Sequence, residues 1–186
     1  GGCRLNRRVA VGGGLEVYKN ASLTDFSGFD NLVSVGNSLV IFDNKSAPIL
    51  DGFPKLLSVG GHLSLGDAAV PNDTLKEITG FNALTKIGWM LRIYENHGLQ
   101  GVSGLKNLAE VGTNVEVIKN SALAHLDGLA NLADVGGKFT FEDNPTLANC
   151  TIQALLDKLI ELGSFAGETT ISGNDDPCDP APCSTG

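Results

Sequence analysis

Catalysis in a chain of 186 residues needs histidines, cysteines or paired carboxylates that converge, and those residues are few here. The three histidines, His62, His97 and His125, could serve as general bases or metal ligands. They fall in different repeats and at different positions within them, so neither a triad nor a metal site is expected. The carboxylates Asp67, Asp73, Asp143, Asp175 and Asp176 are scattered among turns, and Asn174-Asp175-Asp176 lacks the ligand spacing of a calcium loop. No glycine-rich phosphate loop follows a strand and opens a helix. The expectation is a chain that is not an enzyme, uses no cofactor and binds no metal.

The four cysteines, Cys3, Cys150, Cys178 and Cys183, form no pair of C-x-x-C clips and so do not read as a zinc site. Cys178 and Cys183 flank a proline-rich stretch in the tail. Sequons stand at Asn20, Asn44, Asn72 and Asn149. The first three coincide with a repeated asparagine expected to be buried, which leaves Asn149 as the glycosylation candidate. Cysteine usage and sequons together point to an oxidising, extracellular or cell-surface setting.

Charge excludes further classes. A net charge of −8 disfavours nucleic acid as a partner, and the basic residues Arg4, Arg7 and Arg8 make too small a cluster to reverse that. No apolar run approaches the roughly 20 residues that span a bilayer, so no membrane insertion is expected from this segment. No signal peptide is visible, and the chain opens close to its first repeat, as a mature or excised piece would.

What would position any functional side chain is a repeat. Asn20, Asn44, Asn72, Asn96, Asn120 and Asn144 recur at steps of 24, 28, 24, 24 and 24 residues. A fixed period in this range means a solenoid whose repeats bury apolar faces against their neighbours. Before each asparagine lies an alternating segment with inward pairs Leu15/Val17, Leu39/Ile41, Leu63/Leu65, Leu91/Ile93, Val115/Val117 and Phe139/Phe141. Such period-two patterns are half-buried strands. The other half of each repeat steps by three, as in Leu99, Val102, Leu105, Leu108 and Val111, which suits tight bends and short strands. The predicted fold is all-β: a right-handed parallel β-solenoid of six to seven 24-residue rungs.

Stacked carboxamides at the asparagines can bond one another or the turn backbone. Gly36, Gly60, Gly88, Gly112 and Gly136 are expected to adopt backbone angles closed to other residues. Four extra residues within 66–71 are expected to bulge outward as a loop. A capping helix is expected over 151–162, with Ile152, Leu155, Leu156, Leu159 and Ile160 at helical spacing and Gly163 as its stop. A last strand over 169–174 follows. The domain reading is an N-terminal cap over 1–11, the solenoid over 12–176 and a Pro/Cys tail over 177–186. Cys150 and Cys178 flank the cap and are placed to bond across it, leaving Cys3 and Cys183 for bonds between molecules. A Cys178–Cys183 bridge with Cys150 free is the competing arrangement.

The G-x-h-x-h-x-x-N strand (h apolar), the G-[LF]-x-x-L-x-x-[VI]-G return and the run from Phe139 to Cys150 (FTFEDNPTLANC) resemble the receptor L domain of insulin-receptor and EGF-receptor ectodomains. The resemblance spans about residues 12–178 and implies a leucine-rich β-solenoid, of the type also found in microbial and protist surface proteins. The repeats are more regular than in those receptors, and these 186 residues hold neither a cysteine-rich module nor a kinase, so hormone binding is not expected to carry over.

Outward strand positions form columns. One contains Arg92 and Glu116; the next contains Tyr18, Phe42, Tyr94 and Ile118, whose aromatic and aliphatic side chains in line read as a binding face for a protein or glycan. A third, with Lys19, Asp43, Glu95, Lys119 and Asp143, alternates in charge. Recognition or adhesion is therefore the expected function. The alternative is a structural subunit self-associating end to end in a fibre or surface layer, through disulfides of Cys3 and Cys183.

Overall fold

The structure, a computed structural model, describes residues 8–175 except 68 and 71. Its strands in chain order are β1 (Val9–Val11), β2 (Leu15–Tyr18), β3 (Leu32–Val35), β4 (Leu39–Phe42), β5 (Ile49–Leu50), β6 (Ser58–Val59), β7 (Leu63–Leu65), β8 (Glu77–Ile78), β9 (Lys86–Ile87), β10 (Leu91–Tyr94), β11 (Glu110–Val111), β12 (Val115–Ile118), β13 (Asp134–Val135), β14 (Phe139–Glu142) and β15 (Thr169–Ser172). A single described helix, α1 (Asn149–Glu161), precedes the last strand.

Every pairing between these strands is parallel. One sheet runs β15-β14-β12-β10-β7-β4-β2, a second runs β1-β3-β6-β9-β11-β13, and β5 and β8 make a short third. The chain is a parallel β-solenoid of about six turns. In the seven-stranded sheet the register is kept residue for residue, as in Leu91↔Val115, Arg92↔Glu116, Ile93↔Val117 and Tyr94↔Ile118. Period-two alternation then decides the rest: Leu39, Ile41, Leu63, Leu65, Leu91, Ile93, Val115, Val117, Phe139 and Phe141 all point into the core and are buried.

The three-residue steps resolve into short 3₁₀ turns at Ser27–Phe29, Ser103–Leu105 and Asp127–Leu129, whose period matches the spacing of the buried leucines. The first is opened by Asp25, whose carboxylate accepts from the Ser27 hydroxyl and backbone N–H. Those bonds hold its pKa below the usual carboxylate value. Within the coil Phe53 and Phe81 stack at 5.2 Å between ring centres and nearly parallel planes.

The asparagines sit inside the corner after each strand. Among the described residues, the buried polar or charged side chains are Asp43, Asn44, Asn72, Asn96, Asn120 and Asn144. The Asn120 amide donates to Ile93 O in the preceding rung (3.0 Å), to Ile118 O in its own (3.1 Å) and to Asn144 Oδ1 in the next (3.2 Å). Its own Oδ1 accepts from the backbone and side-chain nitrogens of Asn96. The chain of carboxamides runs from Asn20 to Asn174, where Asn144 donates to Asn174 Oδ1 at 3.0 Å. Asn20, in the first rung, is exposed.

The glycine expectation is corrected. Gly36, Gly60, Gly88, Gly112 and Gly136 have no positive φ; the described glycines that do are Gly66, Gly163 and Gly173. Their requirement is space: a Cβ on Gly112 would lie 2.0 Å from Gly88 O, because the turns stack backbone on backbone. The left-handed backbone falls one residue before the ladder asparagine, on Lys19, Asp43, Glu95, Lys119 and Asp143, with φ of 49° to 58°.

α1 buries Ile152, Leu155, Leu156 and Leu159 over the open end of the coil, and Gly163 (φ 67°) follows it. It begins at Asn149, two residues ahead of the expected start, and Ile160, expected on the packed face, is 54% exposed. Lys138 and Glu168 form a 2.6 Å ion pair at the corner between β14 and β15, which raises the lysine pKa and lowers that of the carboxyl.

Asn120→Ala leaves the Ile93 carbonyl and the Asn96 backbone N–H of the preceding rung without their partner in the core, while Ile118 O keeps the Glu95 N–H. At about 1–3 kcal/mol per buried orphan, the loss in chemical denaturation should reach about 3 kcal/mol or more, against about 1 kcal/mol or less for the exposed Asn20→Ala. Gly112→Ala should cost about 1–3 kcal/mol or more by overpacking, whereas Gly13→Ala, which meets nothing within 4 Å, should be nearly neutral.

Candidate functional site

The outer face of the seven-stranded sheet carries the columns read from the sequence. Glu16, Val40, Ser64, Arg92, Glu116, Thr140 and Thr170 are register partners in series. Arg92 reaches Glu116 Oε2 through both Nε (2.9 Å) and Nη2 (2.8 Å), so its charge is already neutralised by the next rung.

The aromatic column is not one line. Tyr18 and Phe42 stack on each other at 5.0 Å with planes 2° apart, and Tyr94 pairs with Ile118 and lies 5.9 Å below the Arg92 guanidinium. Tyr18 is exposed, while Phe42, Tyr94 and Ile118 are half-buried. Between the two groups stands Gly66, and the reason lies in the insertion. In the other rungs a ladder asparagine reaches back to the carbonyl of the previous inward residue, as Asn44 does to Val17 O and Asn96 to Leu65 O. The four extra residues displace Asn72, and Ile41 O accepts instead from the Gly66 backbone N–H at 2.9 Å. That turn takes φ +98° and brings the backbone so close to the fourth rung that a Cβ at 66 would lie 1.8 Å from Tyr94 O. Glycine is required there, and no side chain stands outward.

The consequence is a cleft across the sheet over β7. Its two outward positions are Ser64 and Gly66, between Val40 and Phe42 on one side and Arg92 and Tyr94 on the other. Two hollows of about 220 Å³ each adjoin along it and share Ser64 and Arg92. Toward the start of the strand the cleft is lined by Ser38, His62 and Met90; toward its end, by Gly66, Asp67 and Tyr94. Ser38 Oγ accepts the His62 backbone N–H at 3.1 Å, and Ser64 Oγ has no hydrogen-bond partner among the described residues. The indole of Trp89 meets the His62 ring edge-on at 5.2 Å and is 58% exposed.

Trp89 and the cleft itself were not singled out from the sequence, although reading down the columns shows two small residues, Ser64 and Gly66, bracketed by large ones. The charged column lies at the left-handed corner, where Lys119 reaches Glu95 at 3.5 Å; the neighbouring Tyr94 phenol, then Glu95, raise the lysine pKa. Of the other histidines, His97 lies 2.8 Å from Asp73, and His125 stands in the return segment, bridged to Gly101. Asn149 is half-buried at the first turn of α1, with its Oδ1 buried and unpartnered among the described residues. Cys150 is disulfide-bonded; Cys3, Cys178 and Cys183 lie outside the described residues. Among the described residues no group of three or more His, Cys, Asp or Glu could hold a metal ion, and no helix is long and apolar enough to cross a membrane.

No family model matches the chain, and no curated protein or solved structure matches it.

A double-mutant cycle on Arg92→Met and Glu116→Gln should return a coupling of about 0.2–1 kcal/mol at low salt. The value should shrink as ionic strength rises, because the guanidinium is nearly half exposed.

Proposed function

We propose that this chain is a non-catalytic recognition or adhesion domain of the extracellular or cell-surface space, and that it binds its partner through the outer face of the seven-stranded sheet. The observation that carries this reading is the pairing of an in-register face with outward aromatic groups, one exposed and two half-buried: the Tyr18–Phe42 stack and Tyr94 beside the Arg92–Glu116 pair. Aromatic rings held by paired strands lose little entropy on binding, which makes them effective contact groups. Receptor L domain character, a Cys150–Cys178 bridge and a glycan on Asn149 belong to the same reading.

The size of the face sets what it can hold. Seven strands about 4.8 Å apart, each presenting about four residues of ~3.3 Å, give about 400 Å². A standard protein interface needs roughly 800 Å² per partner. The face therefore fits a small or narrow ligand, or a weak contact multiplied by several copies at a surface.

Binding to an array of secreted and cell-surface glycoproteins, each presented intact and enzymatically deglycosylated, tests this reading. Phe42→Ser combined with Tyr94→Ser should weaken binding by about tenfold or more while leaving the melting temperature near that of the parent. Equal binding by parent and variant, or no binding by the parent, contradicts it.

A further inference from the structure

We infer that the cleft over β7 is a carbohydrate site that takes a short neutral oligosaccharide along the strand direction, an assignment that rests on the recognition reading above and gives it a ligand class. The groups along the cleft are those a sugar needs. A pyranose carries hydroxyls that both donate and accept, and a face of C–H bonds that lies flat on an aromatic ring. Ser38 and Ser64 present hydroxyls, Asp67 a carboxylate and Arg92 its remaining N–H groups, all lining the same trough. Aromatic rings stand at both ends: Tyr94 lines one, and Trp89 lies against His62 at the other. β10, Leu91–Tyr94, spans about 10 Å and Trp89 stands in the bend before it, which is room for more than one sugar unit.

Other occupants fit less well. A peptide added as an extra strand needs a free edge, and β7 is paired on both sides, to β4 and β10. An anionic ligand needs a cation to spare, and the Arg92 guanidinium is held by Glu116 in a chain of net charge −8. A purely apolar ligand would bury the Ser64 hydroxyl without a partner, at a cost of desolvation. A folded protein exceeds the area of the face. A neutral polyol chain satisfies the hydroxyls, uses the aromatic rings and asks for no charge.

The chain has a single tryptophan, so Trp89 reports on the cleft without labels. Cellotriose, maltotriose and tri-N-acetylchitotriose should be titrated separately against the whole chain while its emission is followed. At least one should give a saturable change in the millimolar range or tighter. Ser64→Phe, which fills the trough from an outward strand position, should weaken that binding by about tenfold or more with the melting temperature preserved. Tyr94→Ala, which removes a platform instead of filling the cleft, should do the same and serves if the first variant does not fold. Failure of all three sugars to saturate overturns the inference, as does saturation that neither variant alters. Binding only to a sulfated oligosaccharide, or array binding that survives deglycosylation, also overturns it while leaving a recognition role for the face intact. Array binding indifferent to the face variants removes that role as well.

Discussion

The solenoid depends on one buried interaction, the side-chain amide of an asparagine that ties three successive turns together. The carboxamides of Asn96, Asn120 and Asn144 each satisfy a carbonyl of the turn before, a carbonyl of their own turn and the carboxamide of the turn after. Without it, the corner following each strand would bury polar backbone that no sheet hydrogen bond reaches, at about 1–3 kcal/mol per group. The requirement recurs in every rung. It ties the sequence period to the geometric one and keeps the strands in register, so that outward side chains fall in straight columns. Leucines at 0% exposure supply the bulk of the burial, but they would tolerate a slip of two residues, which keeps them inward; the amides do not.

The same constraint accounts for the feature that gives the outer face its shape. When four residues were inserted in the third rung, the carbonyl of Ile41 still had to be satisfied, and the nearest donor became the backbone of Gly66. A backbone donor that close to the next rung excludes a Cβ, so the outward position is empty. The cleft over β7 is thus a by-product of keeping the ladder unbroken, and its walls are the unaltered neighbours Val40, Arg92 and Tyr94. A fold-level necessity and a candidate ligand site share one glycine.

Much of this was legible in the residues. Alternation in Leu39-Val-Ile-Phe42 or Val115-Glu-Val-Ile118 specifies which side chains enter the core, because a strand has only two faces, and a 24-residue period specifies stacking. Less legible was anything set by contact between turns. The glycines at the second corner read as conformational in sequence, yet they are there because a Cβ would strike the carbonyl above. The left-handed corner on Lys19, Glu95 and Lys119 carries no glycine or asparagine to announce it. Ile160 fits the helical spacing but faces solvent, because only one side of α1 meets the coil. As for the candidate site, its residues were visible in columns, but the break at Gly66 was not. That break depends on which donor replaces a displaced amide, which is a three-dimensional question.

The most direct check on the central claim is side-chain NMR of a sample carrying ¹⁵N only in asparagine. If carboxamides are hydrogen-bonded from turn to turn, the amide protons of Asn96 should show cross-relaxation to Asn120 and those of Asn120 to Asn144. These buried amides should also exchange with water far more slowly than that of Asn20. Carboxamide protons that exchange freely and show no contact with one another would contradict the account at its foundation.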